Sequence, residues 1–80
     1  MSDVHRNLLL DLGYELKQSA LEARRERDAA PKGSEAYSFK SGRLIAFYEI
    51  VSMMRNLADS FGVPLSDIRL DDIMPDRDLL

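Results

Sequence analysis

The run Leu44-Ile45-Ala46-Phe47-Tyr48-Glu49-Ile50-Val51-Ser52-Met53-Met54-Arg55-Asn56-Leu57-Ala58-Asp59-Ser60-Phe61, closed by Gly62-Val63-Pro64, decides the fold. Its apolar residues recur every three or four positions, never in strict alternation, which is the period of a helix and not of a strand. Gly62 supplies a left-handed stop and Pro64 follows two residues later. Working upstream, Ser34 is a natural cap with Glu35 in the first turn, so the spacing predicts a helix over 35–61. Ser38 and Ser41 are alternative caps, because Gly42 weakens the first turns. On a helical wheel Tyr37, Phe39, Leu44, Phe47, Tyr48, Ile50, Val51, Met54, Leu57, Ala58 and Phe61 span roughly 180°, where an amphipathic surface helix needs about 100°. Ile45 and Met53 fall outside that arc.

A first helix is predicted over 3–29. Ser2 or Asp3 caps its start, strong helix formers fill its interior, and Arg24, Arg25 and Arg27 gather at the end where the dipole favours cations. Pro31 stops it, and Pro31-Lys32-Gly33-Ser34 forms the turn. Gly13 is locally unfavourable, costing up to about 1 kcal/mol against alanine. Leu8, Leu9, Leu12, Leu16, Ala20 and Ala23 lie within roughly 120° and read as a core face, while Leu10, Tyr14 and Leu21 form a second stripe on the other side. Residues 62–80 form an acidic tail in which Ser66 caps a short turn through Asp67-Ile68-Arg69 and Pro75 ends what precedes it. Leu65, Ile68, Leu70, Ile73, Met74, Leu79 and Leu80 are too many apolar residues for a free tail, so it should pack on the helices. With no strand pattern anywhere, the expected fold is all-α: one domain, an antiparallel helical hairpin with a short C-terminal helix or tail.

Eighty residues with 45% hydrophobic and 31% charged composition make a small globular chain. A chain this short buries only about 60% of its unfolded surface. It has no cysteine, hence no disulfide and no thiolate chemistry. Both helices carry more apolar surface than one shared seam covers. The expectation is a homodimer forming a four-helix bundle, with self-association through Leu10, Tyr14, Leu21, Phe47, Val51 and Met54.

Composition and motifs narrow the chemistry. A net charge of −3 argues against generic affinity for nucleic acid or anionic membranes. The run Leu8-Leu9-Leu10 is too short for a signal peptide or a membrane span, so a cytoplasmic location is expected. Asp11, Glu15, Glu22 and Glu26 share one face of the first helix, but without a Glu-x-x-His motif they read as a solvated surface. Asp71, Asp72, Asp76 and Asp78 lack the glycine and distal glutamate of a calcium loop and read as a solubilising end or a latch onto Arg24, Arg25 and Arg27. No metal or other cofactor is expected. A serine triad would have to use His5, with nothing nearby to orient it, and no glycine-rich phosphate loop exists, so the chain is not expected to be an enzyme. Arg43 falls inside the apolar arc. It either lays its stem along the core or binds a partner carboxylate or phosphate.

Two resemblances bear on function. The stretch Leu57 to Ile68 resembles the helix-turn-helix of bacterial repressors, with Ala58, Gly62 and Ile68 at the small, turn and apolar positions; this implies a transcriptional regulator. The reading head it implies, Ser66 to Ile73, carries Asp67, Asp71 and Asp72 against one Arg69, which opposes phosphate binding. Phe39 to Glu49, with Phe61-Gly62-Val63-Pro64 and Asp71-Asp72-Ile73, resembles small uncharacterised bacterial α-helical proteins. That likeness implies a bacterial or phage origin and no activity. The function expected from the residues is a self-associating helical module for protein–protein interaction, a small regulator or adaptor.

Overall fold

A computed structural model describes residues 3–80. Helix α1 runs Asp3–Ala29 and helix α2 runs Glu35–Ser60. They pack as a hairpin, and the tail follows as a single 3-10 turn, Leu65–Ile68, and a one-turn helix α3, Pro75–Asp78. The expected cap Ser2 lies outside the described residues.

The connection works as its residues require. Ser34 accepts from the Tyr37 N–H at 3.1 Å and caps α2, while its own hydroxyl donates to the Pro31 carbonyl at 2.6 Å. Gly33 takes a positive φ of 84° in the turn. At the far end Gly62 has φ 69°. The Val63 N–H donates to the Ala58 carbonyl at 2.8 Å and the Gly62 N–H to that of Asp59 at 3.1 Å. This paired closure satisfies the last carbonyls of α2 and turns the chain back towards α1.

The core is a narrow seam of Ala20 and Ala23 from α1, Leu44, Val51 and Ala58 from α2, and Ile68, Leu70, Ile73 and Leu79 from the tail. Small residues on α1 let the helices and tail approach closely. Gly13 is the extreme case: a Cβ built on it would lie 1.7 Å from the Ile68 carbonyl oxygen. The residue that looked like a local defect of α1 is the floor on which the 3-10 turn rests.

Three other expectations change. Leu8 and Leu12, read as core, are exposed; the buried side of α1 is rotated towards Gly13, Lys17 and Arg24, because it serves α2 and the tail together. Pro75 starts a helical turn instead of ending one, since proline suits the first helical position, where no N–H is needed. Ser66 does not cap the short turn expected there: it lies inside a 3-10 turn that begins at Leu65 with no side-chain cap bond and is ended by Arg69 in the left-handed region at φ 57°.

Candidate interaction surface

The tail is fixed to one side of the hairpin by polar contacts whose chemistry differs from a simple charge latch. Arg55 donates to the carbonyls of Leu70 and Ile73, both at 2.7 Å. Arg24 reaches the Asp78 carbonyl at 2.8 Å, and Arg27 the Leu80 carbonyl at 3.5 Å. In each case a single terminal guanidinium nitrogen donates to main-chain oxygens of the irregular tail, both Arg55 bonds coming from Nη1. Lys17 pairs with Asp72 at 2.9 Å and holds that carboxyl below its ordinary value, chiefly by hydrogen bonding. Tyr48 donates its hydroxyl to Asp76, which pushes the phenol above its usual value. Asp78 accepts from Arg77 and from the Met74 N–H, and its carboxyl is lowered to about 2, first by Arg77 and next by that backbone bond. Arg25, expected in the latch, instead pairs with Glu22 on its own helix at 2.6 Å.

A polar cleft is a consequence of this docking. It lies between α2 and the tail and is lined by Tyr48, Ser52, Arg55, Met74 and Asp76. Its arginine and its tyrosine–carboxylate pair already hold the tail. Among the described residues no cluster of three potential metal ligands occurs, and no helix is long and apolar enough to cross a membrane.

The opposite side of the hairpin is uncovered. On α1, Leu8 lies about 180° around the helix from Lys17; on α2, Leu57 lies about 180° from Tyr48. Lys17 and Tyr48 carry the tail, so Leu8 and Leu57 share the face the tail does not reach. The Arg43–Glu26 ion pair at 3.0 Å bridges the two helices on that same face, Glu26 being five full helical turns from Leu8. Val4, Leu8 and Leu12 of α1 and Phe39, Ile50, Met53, Leu57 and Phe61 of α2 are all exposed there, Phe39 by 75% and Phe61 by 79%. Scattered single apolar residues on a surface are ordinary, but a stripe along the whole of α2, widened by Val4, Leu8 and Leu12 at the start of α1, is not; beyond Leu12 the same face of α1 carries Glu15, Glu22 and Glu26.

The residues singled out from sequence are distributed unevenly. Val51 is fully buried in the chain's own core. Leu21, Phe47 and Met54 are half-buried and pack against that core. Leu10 is half-buried, on the flank of α1 towards the tail, and Tyr14 is exposed with the Lys17 ammonium 6.0 Å from its ring. The stripe Leu10–Tyr14–Leu21 thus lies beside the chain's own tail. Arg43 pairs with Glu26 of its own chain, with its guanidinium 5.5 Å from the Phe47 ring. Of the helix-turn-helix positions, Ala58 and Ile68 are buried and Gly62 turns the chain, but the segment offered as a reading head contributes Ile68, Leu70 and Ile73 to the core and projects no helix.

Sequence reasoning missed a regular signal on α2. Positions 39, 43, 46, 50, 53 and 57 are spaced alternately by four and three residues, the a/d repeat of a helix seam. All six are exposed.

These features define the class: an all-α hairpin with its tail packed on one side and, on the other, an open face that is apolar along α2 and at the start of α1. No family model matches the chain, and no curated protein or solved structure matches it.

Proposed function

We propose that the chain is a non-enzymatic, self-associating interaction module, and that a second copy covers the open face to complete a four-helix bundle. The observation that carries this reading is the stripe Leu8, Leu12, Ile50, Met53, Leu57 and Phe61, left uncovered on the side away from the tail. The dimensions favour a second copy. The molecule measures 47 × 22 × 16 Å, a thin slab with a radius of gyration of 14.1 Å. A compact chain of this length would have about 11.6 Å. Its accessible surface is 5416 Å², against about 4,900 Å² for a monomer of its mass. A face 47 Å by 22 Å offers ample room for the roughly 800 Å² per partner of a standard interface. A cysteine-free composition suits a reducing compartment such as the bacterial cytoplasm.

The test is Ile50→Glu combined with Leu57→Glu, measured by sedimentation velocity and circular dichroism. Both side chains are exposed in the single hairpin, so its helix content should persist while the particle mass falls from a dimer's to a monomer's. Equal mass for variant and wild type would remove the reading.

A further inference from the structure

The open face is not uniform along its length, and the difference specifies how two copies meet. At the C-terminal end of α2 lies a groove of about 220 Å³ lined wholly by apolar groups, among them Leu9, Met54, Leu57, Phe61, Val63 and Ile68. Its volume is too small for a typical organic ligand, whose pockets run from about 300 Å³ upward. It is large enough for an aromatic ring, since a cavity of about 150 Å³ admits benzene. At the other end of the same stripe, 22 residues and about 33 Å away, Phe39 projects with 75% of its surface exposed and no core to join. The chain therefore carries an unfilled aromatic-sized groove and an unhoused phenyl ring at opposite ends of one face.

We propose that α2 pairs antiparallel with α2 of a second copy, so that Phe39 of each chain enters the groove at the Leu57–Val63 end of the other. This rests on the self-association reading above and deepens it. The a/d repeat gives the register. Phe39 opposes Leu57 of the partner, Arg43 opposes Met53, and Ala46 opposes Ile50, so all six repeat positions lie in the seam and the ring meets the groove beside Leu57 and Phe61. A parallel pairing places Arg43 against its own copy, two like charges in the seam, and sets Phe39 against Phe39 with both grooves empty. A charged residue at a seam position fixes register and orientation in this way. The antiparallel arrangement is isologous and closed: two phenyl rings fill two grooves and none is left over for a third chain. Leu8 lies beside Leu9 at the groove, where it joins the wall around the incoming ring.

The experiment uses the full chain. The absence of cysteine lets Ser38→Cys, at an exposed position beside Phe39, carry a single spin label, and pulsed dipolar spectroscopy reads the distance between the two labels. Antiparallel pairing about residue 48 separates them by about 30 Å along the helix axis, whereas parallel pairing leaves no axial separation. In parallel, Phe39→Ala is compared with wild type by sedimentation equilibrium. Phe39 contributes nothing to the single hairpin's core, so helix content stays constant, and emptying two sockets should weaken dimerisation at least about thirtyfold. A long label distance together with that loss supports the proposal. A dimer with a short distance, or one that Phe39→Ala leaves unchanged, overturns this register and leaves self-association standing. A wild-type chain that stays monomeric overturns both.

Discussion

Gly13→Ala is the substitution whose outcome departs furthest from helix propensity. Glycine inside a helix is ordinarily improved by alanine, by about 1 kcal/mol. At Gly13 the new methyl would sit 1.7 Å from the Ile68 carbonyl oxygen, a main-chain atom that no rotamer change can move aside. Restoring an ordinary contact of about 3.4 Å lifts the 3-10 turn by more than 1 Å. That loosens Ile68 and strains the segment carrying Leu70 and Ile73, all core residues. Overpacking of this kind costs about 1–3 kcal/mol and partial re-exposure of Ile68 adds to it, so the propensity gain is outweighed. The expected net loss is about 1–3 kcal/mol, or roughly 4–8 °C of melting temperature for each kcal/mol in a domain of this size. Gly42→Ala is the control. Gly42 is also helical, but its added Cβ meets nothing within 4 Å, so it should gain up to about 1 kcal/mol. Thermal melts by circular dichroism at one protein concentration read both. A Gly13→Ala chain as stable as Gly42→Ala would refute the close approach of turn and helix.

Three further outcomes follow from the tail's contacts. Arg55→Met should cost about 2–3 kcal/mol in denaturant melts, because it removes two charge-assisted bonds and strands the Leu70 and Ile73 carbonyls; Arg55→Lys, whose single ammonium keeps more than one donor, should recover part of that loss. Asp72→Asn should change stability by less than about 1 kcal/mol, since Asp72 is largely exposed and its pair with Lys17 is screened by water and salt. Asp78 has a folded pKa of about 2 against an ordinary 3.8. A carboxyl depressed on folding adds stability that is complete above the unfolded value and is lost as pH falls through the folded one. The α3 turn should therefore loosen between about pH 4 and 2, read as lower amide protection factors at Met74 and Leu79, and Asp78→Asn should flatten that dependence.

How far the sequence revealed these features follows from the range of the interactions involved. Helix ends were legible because Ser34, Pro31 and Gly62 act on neighbours one to four residues away. Burial was legible on α2, where Leu44, Val51 and Ala58 repeat every seven residues and face a single partner side. It was less legible on α1, whose buried side serves both α2 and the tail. Leu8 and Leu12 therefore lie outside the core, while Lys17 and Arg24 are turned towards the tail. Gly13 carried no sequence signal of contact, since its role depends on a carbonyl 55 residues away. Arg55 drew no notice because its partners are main-chain oxygens, which no side-chain pattern marks. The open face was visible in the 4-3 spacing from Phe39 to Leu57, but a broad 180° arc concealed which half of it α1 would occupy.

The central claim is that the face carrying Leu8, Leu12, Ile50, Met53, Leu57 and Phe61 is covered by a second copy. Light scattering from the wild-type chain as it elutes from a sizing column, over a dilution series in the micromolar range, tests it most directly. The account predicts twice the 9.1 kDa chain mass, falling towards that mass only on dilution; a mass of 9.1 kDa at every concentration would contradict it.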